Sequence, residues 1–162
     1  MDYYTLTNKI KGHFTRDWLT PSQSFVFDEI ENKYDSQKFI NVYGSPGVGK
    51  TFLAWNFEKE LGAKYIKSLS EIESSSVLVI DDYQHARRSI RDLIQEVFFH
   101  DVNKVIILTE KKAEDDITKI ELSLVEDDKS KFKNNLWKEF NFNFRNEKSE
   151  YDLNSLIKNN LL

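Results

Sequence analysis

The chain has 162 residues and is 40% hydrophobic and 14% aromatic, which suffices for the core of one modest domain. Its formal net charge of −4 argues against a protein whose whole surface binds nucleic acid. It contains no apolar run of about 18 residues and no charged-then-apolar start, so we expect neither membrane insertion nor export, and therefore a cytoplasmic location. The lack of cysteine excludes disulfides and thiolate metal sites, and His13, His85 and His100 lack the spacing of a zinc site.

The N-terminal part of the chain is expected to form an arm followed by a helix. Residues 1–20 mix polar and aromatic side chains without a clear period, which predicts an irregular arm. Residues 21–34 carry apolar side chains near helical spacing, with Pro21 in the first turn and Thr20 or Ser22 available as the cap.

A strand, a glycine-rich loop and a helix come next. Residues 38–43 are rich in β-branched and aromatic side chains and stop at a glycine, which predicts a buried strand. Residues 44–51 match the phosphate-binding pattern G-x-x-x-x-G-K-[ST]. Residues 51–61 read as a helix that Gly62 ends. The motif therefore lies between a strand and a helix, which is the context that it requires.

This loop predicts binding of ATP with Mg²⁺. Its glycines let the backbone curl so that N–H groups point inward, and the helix N-terminus adds partial positive charge for the phosphates. Lys50 would hold the β and γ oxygens, and Thr51 would offer its hydroxyl to the metal. The nucleotide-binding residues predicted here are Gly44, Ser45, Pro46, Gly47, Val48, Gly49, Lys50 and Thr51.

Two features near the N-terminus could meet the base of the nucleotide. The arm over residues 1–20 could pack beside it. Gln23 could hydrogen-bond an adenine edge, or it could be an ordinary exposed glutamine at the start of a helix.

A second strand end supplies acidic groups. Residues 77–80 form a continuous apolar run, as expected of a strand buried on both faces, and Asp81 and Asp82 follow it. We expect Asp81 to face the metal, directly or through water, and Asp82 to polarise the attacking water as a general base. The alternative is that the two aspartates only cap a helix.

The intervening segments alternate between strands and helices. Residues 63–69 read as a short strand, 84–100 as an amphipathic helix and 105–109 as a buried strand that ends in Thr109. This alternation predicts an α/β fold of three αβα layers around a mainly parallel five-stranded sheet. Ligands of such sheets bind at the carboxyl ends of the strands, so Thr109 could reach the γ-phosphate or the attacking water, or could serve structure alone.

The C-terminal part follows this pattern less closely. Residues 111–128 contain acidic clusters around an alternating apolar run, which indicates an edge strand, a partner-binding loop or a merely solubilising segment. Residues 129–139 read as a helix, 140–144 alternate like a half-buried strand, and 151–162 have room for one terminal helix. We therefore divide a single domain into an arm (1–20), a nucleotide-binding core (21–110) and a divergent part (111–162).

Local basic patches leave DNA contact open despite the negative net charge. One patch consists of Arg87, Arg88 and Arg91 on a predicted helix. The other has Lys129, Lys131, Lys133 and Lys138 around Phe132 and Trp137. Such runs are also typical of solvated helix faces.

Taken in order, these motifs resemble the ATPase core of the AAA+ replication initiators and helicase loaders, the DnaA-like group. The resemblance covers about residues 24–110 and is most specific over 44–51 and over 77–84, where Leu-Val-Ile-Asp-Asp is followed by Tyr-Gln. It implies that Lys50 and Thr51 are the Walker A pair, Asp81 and Asp82 the Walker B pair, and Thr109 the sensor-1 residue. Short P-loop proteins such as the tRNA-modification ATPase TsaE are similar more loosely.

The resemblance implies a protein that uses ATP to assemble side by side and to recruit or remodel protein partners on DNA. Such proteins carry an arginine finger and a helical lid with a further arginine. Here the finger position offers only lysines, Arg145 is a candidate for either role, and we expect no full lid. We therefore expect an ATPase that is weak or stimulated by its partner.

Two other classes of function share the loop. One is a small-molecule or nucleotide kinase, for which Arg87, Arg88 and Arg91 could supply charge to a substrate pocket. The other is a binding module that keeps the nucleotide without hydrolysing it. Release of phosphate without an added acceptor would favour the ATPase.

Overall fold

A computed structural model of the chain describes residues 2–13, 15–33, 35–81, 90–144 and 152–161. Six helices and five strands lie in these ranges. In chain order they are α1 (Tyr3–His13), α2 (Pro21–Asn32), β1 (Phe39–Tyr43), α3 (Lys50–Leu61), β2 (Lys64–Ile66), β3 (Ser75–Ile80), α4 (Ile90–Phe98), β4 (Val102–Thr109), β5 (Thr118–Glu121), α5 (Glu126–Phe140) and α6 (Leu153–Lys158). None of the described helices is both long and apolar enough to pass through a bilayer.

The strands form one sheet in the order β2-β3-β4-β1-β5, and every pairing in it is parallel. In the register, Tyr43 lies beside Thr109 and Ile80 lies beside Ile107, so that β1, β3 and β4 end at the same edge. This confirms the predicted α/β class and places the glycine-rich loop, the first aspartate and Thr109 at one end of the sheet.

Helices cover both faces of the sheet. On one face, α2 and α3 pack on side chains such as Ile106 and Leu108, and Phe27 stacks on Phe57 with ring centroids 5.1 Å apart. On the other face, α4 packs on a cluster that includes Ile107. Alternate residues of a strand point to opposite faces, so the fully apolar strands are buried on both sides, as their sequences predict.

Local signals fix where the helices begin and end. The Thr20 side chain accepts a hydrogen bond from the backbone of Gln23, whose side chain reaches back to the backbone of Thr20, and this capping box starts α2. Helix α3 begins at Lys50 and ends at Leu61, and the next residue, Gly62, adopts the left-handed conformation with φ 61°. The helices predicted over 21–34, 51–61 and 129–139 are confirmed within a few residues at each end.

The prediction of an irregular arm over residues 1–20 is wrong, because Tyr3–His13 form α1 and Arg16–Trp18 a 3-10 turn. Leu6 and Ile10, one helical turn apart, are buried in a third cluster with residues of α5 and α6. The residues of α5 and α6 that α1 packs against lie more than 100 positions away in the chain. Because this packing stabilises the helix, the local sequence of α1 shows only a weak helical period.

The strand predicted over 140–144 is also wrong. The fifth strand is β5, the edge-strand alternative for residues 111–128, and it occupies the free side of β1. Asn141 turns out of α5 with a left-handed φ of 51°, and Phe142 and Phe144 pack against the third cluster. The alternation of phenylalanines therefore reflects packing on helices, which a period of two cannot distinguish from a strand.

The other predicted elements are present with shifted bounds. The strand over 63–69 shortens to β2, a 3-10 turn occupies Leu69–Glu71, and the strands over 77–80 and 105–109 lengthen at their starts to β3 and β4. Of the helix predicted over 84–100, the described part is α4, and residues 84–89 lie outside the described ranges. The terminal helix predicted over 151–162 is the short α6.

Candidate nucleotide site

The glycine-rich loop is held open at the end of β1. The backbone N–H of Gly44 donates to the Thr109 carbonyl at 3.1 Å, and a Cβ on Gly44 would overlap the carbonyl oxygen of Leu122. Gly47 and Gly49 have φ values of 80° and 94°, which L-residues with side chains rarely adopt. Glycine is thus required where the loop passes between β4 and β5 and where it turns into α3.

Lys50, the first residue of α3, folds back over the loop. Its Nζ donates to the carbonyl oxygens of Gly44 at 2.5 Å and Ser45 at 2.9 Å. The ammonium group therefore lies across the concave side of the loop, where the phosphates of a bound nucleotide would be held.

Thr51 and Asp81 are in direct contact across the sheet end. The Thr51 hydroxyl donates to Asp81 Oδ2 at 2.8 Å, and the Asp81 side chain is almost fully buried. A hydroxyl and a carboxylate are hard oxygen ligands of the kind that Mg²⁺ prefers, and Mg²⁺ at phosphate sites needs only one or two carboxylates. The arrangement fits a magnesium ion beside the loop. Asp82, the predicted general base, lies outside the described residues.

A tyrosine that the sequence analysis missed completes this contact. The Tyr65 hydroxyl donates to the same Asp81 oxygen at 2.7 Å. A tyrosine in a short edge strand carries no motif, so only the strand pairing could have indicated it.

Thr109 lies at the predicted strand end and lines the same cavity, but its hydroxyl is engaged. Its Oγ1 donates to the Lys111 carbonyl at 2.7 Å and accepts from Asn41 Nδ2 at 2.8 Å. Asn41 is fully buried in β1, and its Oδ1 accepts from the backbone of Ala113 at 2.9 Å. An amide in the middle of an apolar strand must find partners, and this was the available signal for Asn41.

Gln23 lines the cavity described below, so its contact with an adenine edge stays a prediction, whereas the role of an exposed glutamine at a helix start is wrong. It is only 1% exposed, so it is not a surface glutamine, and its Nε2 donates to the Gly49 carbonyl at 3.2 Å. Its Oε1 is engaged in the capping box. Gln23 thus joins the start of α2 to the end of the glycine-rich loop.

These residues open onto a cavity of about 900 Å³, a volume in the range of small-molecule sites. We call the part formed by the loop, Asp81 and Thr109 the phosphate end. We call the other part the apolar end, and its lining includes Tyr3, Ile10, Phe52, Phe132, Leu153 and Ile157. The lining of the cavity therefore combines polar groups with aromatic and aliphatic surface.

The terminal helix joins the two ends. The Leu153 backbone N–H donates to the Gly47 carbonyl at 3.1 Å, and a Cβ on Gly47 would overlap the Asp152 carboxylate, which caps α6. Tyr3 of α1 donates from its hydroxyl to Asn154 Oδ1 at 2.6 Å. The loop, α6 and α1 are thus in contact at one wall of the cavity.

Among the described residues, the cationic side chains that line this cavity are all lysines. Lys67 and Lys111 line it, whereas the two described arginines do not. Arg16 lies elsewhere and pairs with Asp28 and Glu31, chiefly through the hydrogen bond to Asp28, which raises the pKa of the guanidinium. Arg145, the predicted finger or lid residue, lies outside the described ranges.

The predicted basic patches are only partly surface features. Phe132 is buried in the third cluster, Lys129 pairs with Glu126, and Lys133 lies over the Phe144 ring. Trp137 is 56% exposed on α5, with Lys131 and Lys138 exposed on the same helix. In the other patch Arg91 is exposed, and Arg87 and Arg88 lie outside the described residues.

Comparison with known families decides the classification. Residues 40–151, more than half of the chain, match the family described as ATPase family associated with various cellular activities (AAA). The chain belongs to the AAA ATPase family. The matched range holds the glycine-rich loop, Asp81 and Thr109, so the AAA domain contains the whole phosphate end.

Among individual relatives, the chromosomal replication initiator protein DnaA of Streptococcus mutans serotype c (strain ATCC 700610 / UA159) is 27% identical, over 91% of this chain and 42% of that protein. The chain thus spans about two fifths of the length of this relative. Its match supports a DnaA-like AAA+ core for the AAA domain.

Solved structures share the fold. AMPPCP-bound DnaA from Aquifex aeolicus superposes with a TM-score of 0.64 at 15% identity, over 91% of this chain and 62% of that one. The replication initiator DnaA bound to AMPPCP and single-stranded DNA gives a TM-score of 0.60 at 16% identity, over 83% and 59%. At such identities the likeness establishes the three-layer P-loop fold of the AAA domain.

Proposed function

We propose that the protein binds ATP with Mg²⁺ and hydrolyses it weakly or on stimulation, coupling its nucleotide state to a protein partner in DNA replication or another DNA transaction. The observation that carries the proposal is the contact of Thr51 with Asp81 at 2.8 Å in the cavity that Lys50 also lines. One helix start and one strand end thereby present a cation, a hydroxyl and a carboxylate to one small volume. These are the groups that hold the phosphates and the metal in P-loop nucleoside triphosphatases.

Each residue of the phosphate end has a role in this proposal. The amides of residues 44–51 cradle the phosphates, and Lys50 binds the β and γ oxygens. Thr51 and Asp81 hold the metal, which when bound neutralises charge on those oxygens. Asp82 orients the attacking water and accepts its proton, and Thr109 acts next to the γ-phosphate. For this role the Thr109 hydroxyl would turn its proton from the Lys111 carbonyl to the phosphate and keep the hydrogen bond that it accepts from Asn41.

The apolar end is the proposed site of the adenine ring. Aromatic and aliphatic side chains from α1, α3, α5 and α6 line it, and a flat heterocycle gains from burial against such surface. α1 thus takes the place beside the base that the sequence analysis gave to an arm.

The partner-dependent part of the proposal rests on the relatives and on the cavity. One solved relative is described as bound to AMPPCP and single-stranded DNA. Within the described residues the cavity contains lysines and no arginine, and lysine lacks the planar fork that stabilises a transferring phosphoryl group. Stimulation by an arginine of a second subunit or of a partner would supply this group.

The test compares two lysines of the same helix. Lys50→Ala should weaken ATP binding, measured by isothermal titration calorimetry, by about 100-fold, because a charge-assisted contact to phosphate is worth about 3 kcal/mol. Lys59→Ala, near the other end of α3, is the control and should bind as the wild type does. Equal ATP affinity of the wild type and Lys50→Ala would refute the proposal.

Self-association and turnover are tested on the same proteins. Light scattering with and without ATP should show a nucleotide-dependent change of mass, and phosphate should be released without an added acceptor. A monomer in both nucleotide states, with no partner binding that depends on ATP, would contradict the coupling part of the proposal while leaving nucleotide binding intact.

A further inference from the structure

Tyr65 lies outside the glycine-rich loop but reaches the acidic residue of the site. It belongs to β2, one of the two edge strands of the sheet, and its ring packs half-buried against the cluster beneath α2 and α3. Its hydroxyl donates to Asp81 Oδ2 at 2.7 Å. The same oxygen accepts from Thr51 at 2.8 Å. Two hydroxyl donors from two elements therefore converge on one carboxylate oxygen.

The strand register explains why a residue of β2 can do this. Tyr65 pairs with Val79, and side chains two residues apart on a strand point to the same face, so Tyr65, Val79 and Asp81 lie on the side of α3. The Asp81 backbone N–H also donates to the Ile66 carbonyl at 3.0 Å, one residue beyond β3. Both the backbone and the carboxylate of Asp81 are thus tied to β2.

We propose that Tyr65 is a positioning residue for metal binding, which orients the Asp81 carboxylate so that it can hold the magnesium ion of a bound nucleotide. This inference rests on the proposed function. A carboxylate that is nearly fully buried has few orientations open to it, and a rigid phenol on the neighbouring strand selects one of them. Residues that orient metal ligands in this way change metal affinity by about 10–100-fold when they are replaced.

Tyr65→Phe removes the hydroxyl and keeps the ring, so the packing against the core should be retained. The experiment titrates Mg²⁺ into protein with a fluorescent ATP analogue and measures the Mg²⁺ concentration at half-maximal enhancement of binding. We expect this concentration to rise about 10-fold in the variant, with binding in EDTA unchanged.

Tyr43→Phe is the matched control. Tyr43, the half-buried last residue of β1, also makes a hydrogen bond through its hydroxyl, to Glu121 at 3.4 Å, but it does not line the cavity. It should leave the Mg²⁺ requirement unchanged. The inference is overturned if Tyr65→Phe and the wild type require the same Mg²⁺ concentration, if both tyrosine variants shift it equally, or if binding in EDTA falls as much as binding with Mg²⁺.

A second measurement separates orientation of Asp81 from a general loosening of β2. In the background of Asp81→Asn, addition of Tyr65→Phe should cause no further loss of Mg²⁺ sensitivity, because the two residues act through one contact. Additive effects would overturn the inference. Failure of the proposed function has a different signature, since it would appear as ATP binding that Lys50→Ala leaves intact.

Discussion

The phosphate end and the apolar end of the cavity are assembled from different parts of the chain. The phosphate end consists of a loop, a helix start and two strand ends, all within residues 44–109. The apolar end joins α1 to α5 and α6, and its hydrogen bond between Tyr3 and Asn154 spans 151 positions of sequence. The first is therefore specified by local motifs, and the second by long-range packing.

This difference predicts different sensitivities of the two ends. Substitutions at the phosphate end should act through single polar atoms or backbone angles. Substitutions at the apolar end should act through buried area, and they should weaken recognition of the base while sparing recognition of the phosphates.

The largest expected effect comes from Leu156→Ala, which truncates a side chain of α6 that is 1% exposed in the third cluster. Leucine-to-alanine changes in a core cost about 2–5 kcal/mol in the free energy of unfolding, and the loss should loosen α6. We expect ATP affinity to fall by more than the affinity for tripolyphosphate, both measured by calorimetry.

Val97→Ala serves as the comparison variant, because Val97 is fully buried in the cluster under α4, on the other face of the sheet. It should lower the free energy of unfolding without changing the ratio of the two affinities. If Leu156→Ala lowered both affinities in equal proportion, this would contradict the assignment of the base to the apolar end and of the phosphates to the phosphate end.

The next effect concerns Gly47, where the two ends meet. Gly47→Ala would force a side chain into the left-handed region, at a cost of about 1–2 kcal/mol, and would drive its Cβ into the Asp152 carboxylate. Gly62→Ala carries the same backbone penalty, with nothing within 4 Å of the new Cβ. Chemical denaturation should therefore show a larger loss for Gly47→Ala, together with weaker ATP binding. Equal losses would mean that α6 does not press on the loop.

Much of the phosphate end could be predicted from the sequence, because each of its parts is local. The pattern around Lys50 and Thr51 and the apolar run before Asp81 contain both the element type and the polar residue that ends it. Parallel strands bring such ends together, so the contact between Thr51 and Asp81 follows from the topology.

The parts that could not be predicted depend on which elements are neighbours. Tyr65 reaches Asp81 only because β2 pairs with β3, and Gln23 is buried only because α2 starts beside Gly49. The alternating run over 140–144 was interpreted as a strand because periodicity does not tell what lies opposite. α1 escaped prediction because its stripe is short and is completed by α5 and α6.

The smallest expected effect concerns a residue at the end of the sheet opposite the nucleotide site. Lys104 of β4 is 2% exposed, and its Nζ donates to the carbonyl oxygens of Gln37 at 2.6 Å and Lys33 at 3.2 Å. Burial lowers the pKa of this ammonium, and the nearby charge of Asp35 partly opposes the shift.

Because the folded state releases this proton more readily than the unfolded chain, the free energy of unfolding should rise with pH between the lowered pKa and the ordinary lysine value of about 10.5. The stability gained at high pH should be lost again as the pH falls through the lowered pKa of Lys104. Urea denaturation of the wild type and Lys104→Met across this range should give a difference that changes in favour of the wild type at higher pH, since methionine does not titrate. A difference that is independent of pH would show that burial does not alter the protonation of Lys104, while ATP affinity should be the same in both proteins because Lys104 lies outside the cavity lining.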